Sequence, residues 1–374
     1  MRVLMTGGGT AGHINPALTI AKAIEKAYPN TEILFVGAQG RMETRLVPAA
    51  GYTIKTMNVS GFKRQLNPKA LVHNAQAAWR AATAGATAAR IIREFKPDIA
   101  IGTGGYVCGP ILRKAAKMGV PVVVHESNAL PGVTVKMLAK YATICVSEEA
   151  AKRHLPTDAR VVVTGNPLPA DFHQTAKSQA RDRLGLDARP VVLSFGGSLG
   201  ATAINCAMTG VLERSVKDGR LQHIHAAGSS GYAAMCDALN ASGVPLSENG
   251  IDVREYIHDM KDCMAAADLV ICRCGAMTLT ELQACGKPSI LIPSPYVAEN
   301  HQFHNAQVLV RRDAAMCIEE KDLTAATLWE AIERVTSDPA RLVRMGDNAA
   351  SGAVLDADAR ILEVIANALE TAKN

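Results

Sequence analysis

Three times along the chain a short apolar run passes into glycines and then into a helix-length segment. The runs are VLMTGGGTAGH (3–13), DIAIGTGGYVCGP (98–110) and PVVLSFGGSLGATAIN (190–205). A strand that ends in a glycine turn and reopens as a helix is the building unit of a doubly wound parallel sheet. Such a turn presents unpaired backbone N–H groups and a positive helix end to an anion. Any single turn of this kind can be a tight connection and nothing more. Three of them, two in the first half and one in the second, fit a phosphate-rich substrate held in a cleft between two lobes.

The rest of the chain follows the same alternation. RVLMT, ILFVG, DIAIGT, VPVVVHE, TICVS and VVVTG read as buried strands, separated by helical stretches at 17–28, 71–95 and 111–118. After GNPLPADF (165–172) the pattern restarts with PVVLSF, LQHIHAAG, DVREY, DLVICR and PSILIPS. Helical stretches at 201–214, 232–241, 260–267, 279–284 and 301–310 lie among them. The reading is two consecutive doubly wound α/β units, with the proline-punctuated 165–172 segment as the hinge. A chain of 374 residues is long enough for two cores. The last apolar-periodic stretch, 353–369, has no strand after it and must dock on one unit or the other.

Composition narrows the setting. No run approaches the roughly 18 unbroken apolar residues of a membrane span, and MRVLMTGGG lacks the features of a secretory leader. The nine cysteines include no C-x-x-C pair, so they read as reduced thiols of a cytoplasmic protein. A formal charge of +5 is compatible with nucleic acid, anionic lipid or a phosphorylated substrate, and selects none of them.

Gly7-x-Gly9-x-x-Gly12 has the spacing of a dinucleotide-binding turn. An NAD-dependent oxidoreductase would also need a carboxylate at the carboxyl end of the second strand. Glu32 precedes that strand, which instead finishes in Gly37-Ala38-Gln39. The dinucleotide fingerprint is half present.

Three further clusters fall at strand ends. HESN (125–128) supplies His125 and Glu126, which either serve chemistry or simply pair with each other. In CRCGAMTLTEL (272–282), Gly275 marks a turn, and Thr278-x-x-Glu281 has the spacing of a capping box. AENHQFHNAQ (298–307) places His301 and His304 at helical spacing, but with no third ligand of metal-site spacing nearby they read as polar surface or cleft residues. His13 is the sharpest single candidate. It follows the first glycine turn at a helix start, where the positive helix end favours the neutral, proton-accepting form of a general base.

Taken in order, GGGTAGHINPAL, GRMETRLVPAAGY, GTGGYVCGP, HESNALPG, GNP, GGSLGATAIN and CRCGAMTLTEL…GKPSILIP resemble the bacterial lipid II-forming N-acetylglucosaminyltransferases, the MurG family. The likeness runs from residue 3 to about 310. It implies a GT-B fold, with two Rossmann-like domains around an interdomain cleft. An acceptor- and membrane-facing domain would span 1–166, with a C-terminal helix (about 351–374) packed back on it, and a UDP-GlcNAc-binding domain would span 167–350. The implied reaction is inverting transfer of GlcNAc from UDP-GlcNAc to the 4-hydroxyl of MurNAc in undecaprenyl-diphosphoryl-MurNAc-pentapeptide.

Carried over motif by motif, Ser198 and the 196–200 amides would contact the donor diphosphate, and the backbone at Ile257 the uracil. Ala276, Met277, Thr278, Leu279, Thr280 and Glu281 would line the nucleotide site, with Glu281 on the ribose. Asn128 and Gln302 would bind the transferred sugar, and Thr10, Ala11 and Gly12 would approach the donor. The first two glycine loops, with Gly104, Gly105 and Tyr106, would face the acceptor's diphosphate. His13 is the expected base, with Glu126 as second candidate. Helix-end amides at 196–200 would stabilise the leaving diphosphate, so neither metal nor organic cofactor is expected. The family's arginine shortly after GNP is absent, Leu168 and Pro169 standing there. Arg273 is a candidate substitute.

A lipid-anchored acceptor also implies a peripheral protein on the cytoplasmic face of the bacterial inner membrane, with no nucleic-acid partner. The stretch 61–93 offers Lys63, Arg64, Lys69, Arg80, Arg90 and Arg93 among Phe62, Leu66, Leu71, Val72 and Trp79 for an anionic membrane surface. The alternative for this stretch is a helix packed on its own sheet. Rival functions are a UDP-sugar 2-epimerase of the same architecture, a non-catalytic nucleotide-sugar binder and, less favoured, the oxidoreductase.

Overall fold

The apolar run at the amino terminus forms β1 (Arg2–Thr6), whose Val3 and Met5 enter one buried cluster while Leu4 enters the other. A strand covered on both faces reads as a continuous apolar run, which is why it was legible. The computed structural model describes residues 1–59, 84–169 and 171–372. They divide into two units, 1–168 with 354–374, and 169–353.

In the first unit β1 is joined by β2 (Glu32–Ala38), β3 (Thr53–Met57), β4 (Ile99–Gly102), β5 (Val122–Glu126), β6 (Thr143–Val146) and β7 (Arg160–Val163). All pair in parallel, in the order β3-β2-β1-β4-β5-β6-β7. β3, TIKTM, escaped the sequence reading because it is a polar edge strand with only Met57 buried. The first helix begins at Ala11 rather than 17, after an extended Thr10, and so takes His13 into its first turn. The helices Glu43–Ala49 and Val133–Leu138 were also unforeseen.

The helix Ala357–Thr371 belongs to this first unit. Its Ile361, Val364 and Ile365 share a core with Val3, Met5, Ile14, Ile20 and Ile24. The chain returns at Val354, which packs against Gly165. That glycine has φ +75°, and a Cβ on it would lie 2.6 Å from the Val354 Cβ, so no other residue fits there.

The second unit contains β8 (Val191–Phe195), β9 (Gln222–Ala226), β10 (Ile251–Arg254), β11 (Leu269–Cys272), β12 (Ser289–Leu291) and β13 (Ala315–Cys317). They form a second parallel sheet in the order β10-β9-β8-β11-β12-β13. β13 is three residues long and carried no readable signal. Val191, Leu193 and Phe195 face one core and Val192 the other.

Of the basic stretch, Lys63, Arg64, Lys69, Arg80 and the apolar residues between them lie outside the described residues. So does the 71–83 part of the expected helix. Residues 84–95 are helical, with Arg90 and Arg93 exposed and Arg90 4.0 Å from Glu94.

Candidate functional site

In an open parallel sheet, ligands bind beyond the carboxyl ends of the strands where the winding direction reverses. In the first unit this point falls between β1 and β4, and in the second between β8 and β11. Each glycine turn read from the sequence follows one of these strands, so each unit has its turns at its own switch point.

In the first unit the two turns are packed together. Gly8 N donates to Gly104 O at 3.3 Å. Gly105 has φ +92°, and a Cβ on it would lie 2.3 Å from Gly8 O; Gly104 has φ +108°, and a Cβ would meet the His13 ring at 2.7 Å. These glycines therefore serve close packing between the turns. Thr10, Ala11 and Gly12 are exposed at the helix start, with no side-chain cap, so the first-turn amides there remain available. Tyr106 is 63% exposed beside them in the chain's second turn.

His13 is held at its rim. Nδ1 lies 3.0 Å from Gly8 O, with Thr10 Oγ1 at 3.3 Å. A carbonyl only accepts, so Nδ1 carries the hydrogen and the lone pair sits on Nε2. Nε2 has no hydrogen-bond partner among the described residues. The His13 carbonyl accepts from Thr103 Oγ1 at 2.6 Å, tying the helix start to the second turn.

The two ionisable HESN side chains have separate partners. His125 is fully buried and donates from Nε2 to Gly165 O at 3.0 Å; burial pushes its pKa down to about 4. Glu126 does not pair with it. Oε1 accepts from Asn128 N and Asn128 Nδ2, both at 2.9 Å, and Oε2 accepts from Gly132 N at 2.8 Å. Glu126, the second candidate base, thus holds Asn128 and the Gly132 amide by hydrogen bonds.

In the second unit the Gly196–Gly200 turn closes through Gly200 N to Gly197 O at 2.9 Å. Gly197, Ser198 and Leu199 are exposed, and the 17-residue helix Thr202–Asp218 begins behind them without a side-chain cap. Its first-turn amides carry no side-chain cap, the arrangement that suits an anion. A fourth glycine, Gly228 after β9, passed unnoticed in the sequence. A Cβ on Gly200 would lie 2.0 Å from Ala227 O, and one on Gly228 would lie 2.0 Å from Gly200 N. Beneath them runs a buried chain from Ser194 Oγ to His225 Nδ1 (2.8 Å), His225 Nε2 to Asn205 Oδ1 (3.2 Å) and Asn205 Nδ2 to Ala227 O (2.8 Å).

Across the switch point the helix Ala276–Ala284 starts after Gly275, which is extended at φ −66° and ψ 138°. Thr278 is therefore inside the first turn, and the expected Thr278–Glu281 capping box does not exist. Glu281 is partly buried, and its carboxyl has no hydrogen-bond partner among the described residues. Burial raises its pKa to about 7. Met277 and Thr280 are half-buried on the same helix, and Leu279 points into the core.

Gln302 Oε1 accepts from Cys274 N at 3.2 Å and Ser294 N at 2.9 Å, which fixes its amide nitrogen as a donor beyond β11 and β12. Ile257 is buried after β10. Arg273 does not stand in for the missing arginine. It pairs with Glu320 and donates to Ile292 O (3.2 Å) and Pro293 O (3.3 Å). No group of three or more side chains able to hold a metal occurs among the described residues.

Residues 3–146 match the glycosyltransferase family 28 N-terminal domain, and residues 191–361 its C-terminal domain. A curated relative from Acetivibrio thermocellus is 44% identical, over 98% of this chain and 97% of its own. One from Bacillus cereus is 40% identical over 98% of both. Both are named UDP-N-acetylglucosamine--N-acetylmuramyl-(pentapeptide) pyrophosphoryl-undecaprenol N-acetylglucosamine transferases. Among solved structures, Acinetobacter baumannii MurG superposes with a TM-score of 0.79 at 27% identity, covering 98% of this chain and 99% of that one. A UDP-GlcNAc 2-epimerase from Neisseria meningitidis shares the fold at 0.67 and 14% identity, over 98% of this chain and 100% of that one.

Proposed function

The chain belongs to glycosyltransferase family 28, and from that premise we propose that it transfers N-acetylglucosamine from UDP-GlcNAc to a lipid-diphosphoryl-linked MurNAc-pentapeptide. The observation that carries this reading is near-full-length likeness, at 40–44% identity, to relatives named for that reaction. The site geometry supports it. The second unit offers an amide-lined turn for a diphosphate and, across its switch point, a carboxyl for ribose hydroxyls.

In the reaction, the acceptor 4-hydroxyl gives its proton to His13 Nε2 while its oxygen bonds to the anomeric carbon. The bond from that carbon to the diphosphate oxygen breaks, and UDP leaves with the electron pair; attack opposite the leaving group inverts the centre. Nδ1–H to Gly8 O stabilises the imidazolium that forms. Helix-end amides at Gly197–Gly200 receive the charge gathering on the diphosphate. Asn128, oriented by Glu126, and the Gln302 amide hold the sugar, and the Ile257 backbone meets uracil.

Incubation with labelled UDP-GlcNAc and the lipid-linked muramoyl acceptor is expected to move label into lipid. UDP should appear only when the acceptor is present. Acceptor-independent UDP release with C2 inversion would instead support the epimerase reading.

A lipid-linked acceptor supports a peripheral position at the cytoplasmic face of the bacterial membrane. No described helix is long and apolar enough to cross a bilayer. A surface that sequence reasoning missed suits peripheral contact. Arg113 and Lys140 both lie over the Tyr141 ring, at 5.9 and 5.1 Å, and the helix just before it, Val133–Leu138, exposes Val133 and Met137. Each basic residue near anionic headgroups contributes about 1 kcal/mol. The Arg113→Glu/Lys140→Glu variant is therefore expected to lose roughly 30-fold or more in affinity for anionic vesicles at low salt. Unchanged vesicle binding would remove this surface from the proposal.

A further inference from the structure

The short helix Glu43–Ala49 carries a carboxylate bonded to the first glycine turn. Glu43 is completely buried in the first unit. Its Oε2 accepts from Gly9 N and its Oε1 from Ala38 N, each at 2.9 Å. It thus joins the first glycine turn to the end of β2. The neighbouring glycines are shaped around it: a Cβ on Gly8 would lie 2.3 Å from Glu43 Oε1, and one on Gly37 would lie 2.6 Å from its Cγ. From the helix that follows, a carboxylate does reach the end of the second strand, but it faces backbone amides and not a ribose. It also occupies one amide of the glycine turn that an anionic ligand would otherwise claim.

From these contacts we infer that Glu43 is a positioning residue for proton transfer, acting through the glycine turn on His13. The chain of contacts is short. The carboxylate fixes Gly9, and the adjoining Gly8 carbonyl holds His13 Nδ1 at 3.0 Å. That bond sets both the tautomer and the direction of the Nε2 lone pair. If the turn relaxes, the ring rotates with it, and a misplacement of about 1 Å costs on the order of 100-fold in rate. Glutamine is a revealing replacement. It keeps the shape, but turns an amide NH₂ toward one of two backbone N–H groups that both need an acceptor.

This inference rests on His13 being the base, and the experiment separates the two ideas. Turnover and donor KM are measured for wild type, His13→Ala, Glu43→Gln and the double variant. Glu43→Gln is expected to lower kcat roughly 10- to 100-fold, with donor KM within about twofold. The double variant should be no slower than His13→Ala alone, because the two changes disable one device. If His13→Ala is slow but the two effects multiply, or if Glu43→Gln raises donor KM at unchanged kcat, the positioning role is overturned and the base reading stands. If His13→Ala turns over normally, the base reading falls and the positioning role falls with it. Should Glu43→Gln fail to fold, Gly8→Ala presses on the same carboxylate and goes through the same cycle.

Discussion

Replacing His13 by alanine is expected to lower kcat by roughly 10²- to 10⁴-fold, the range that a positioned general base supplies. Donor KM should stay close to wild type, because the donor diphosphate and ribose are assigned to residues of the second unit. The expectation rests on a specific arrangement: Nδ1 is committed to Gly8 O, so Nε2 alone is left to accept a proton. A His13→Gln variant should be no better than alanine, since a carboxamide keeps a polar contact but cannot store the proton. Folding is checked by the thermal transition, since His13 is only partly buried and its loss removes no core contact. Near-wild-type turnover in a folded His13→Ala protein would shift the base to another group.

Glu281→Gln should produce two large effects of opposite benefit. Burial raises the native carboxyl to about 7 from its ordinary 4.5. Between those values the native state keeps a proton that the unfolded chain has released, so stability falls as pH rises through this window. Above it the whole penalty is present, about 3 kcal/mol on an order-of-magnitude reckoning. The neutral glutamine escapes that penalty. Its thermal transition should lie above wild type at about pH 8, with the gap closing toward about pH 4.5.

Donor binding should move the other way. Hydrogen bonds from ribose hydroxyls to a charged acceptor contribute roughly 1.5–3 kcal/mol, so UDP-GlcNAc affinity should drop about 10- to 100-fold in the variant. Wild-type affinity should rise between about pH 6 and 8 as the carboxylate ionises. Calorimetric titration and melting across this range check both. Equal melting curves at all pH values would remove the burial argument, and equal affinity would remove Glu281 from the ribose.

The central strands were readable because burial on both faces demands unbroken apolar runs, as in VLM (3–5) and VVL (191–193). The glycine turns were readable because close backbone packing and positive φ leave few residues other than glycine. The same cause hid what lay beneath them. Nothing in the sequence marks Glu43, whose partner Gly9 becomes its neighbour only once β1 and β2 pair. Likewise Asn205 and His225 meet under the third turn because the helix after β8 crosses over the sheet, not because of their spacing. The Thr278–Glu281 pattern misled for a related reason. A capping box is a statement about where a helix begins, and Gly275 moves that start to Ala276. His125 and Glu126 are neighbours in the sequence, yet the strand turns them to different partners, which spacing alone does not reveal.

The helix Ala357–Thr371 has a consequence for how the molecule is made. Its Ile361, Val364 and Ile365 fill the core of a unit whose other strands and helices are translated first, with residues 169–353 intervening. On the ribosome the later unit therefore has all its parts before the earlier one does. Until the closing helix emerges, the apolar face of Ala11–Ala27 waits without its cover. A truncated product would carry every residue of the proposed chemistry and still lack one wall of the first unit's core.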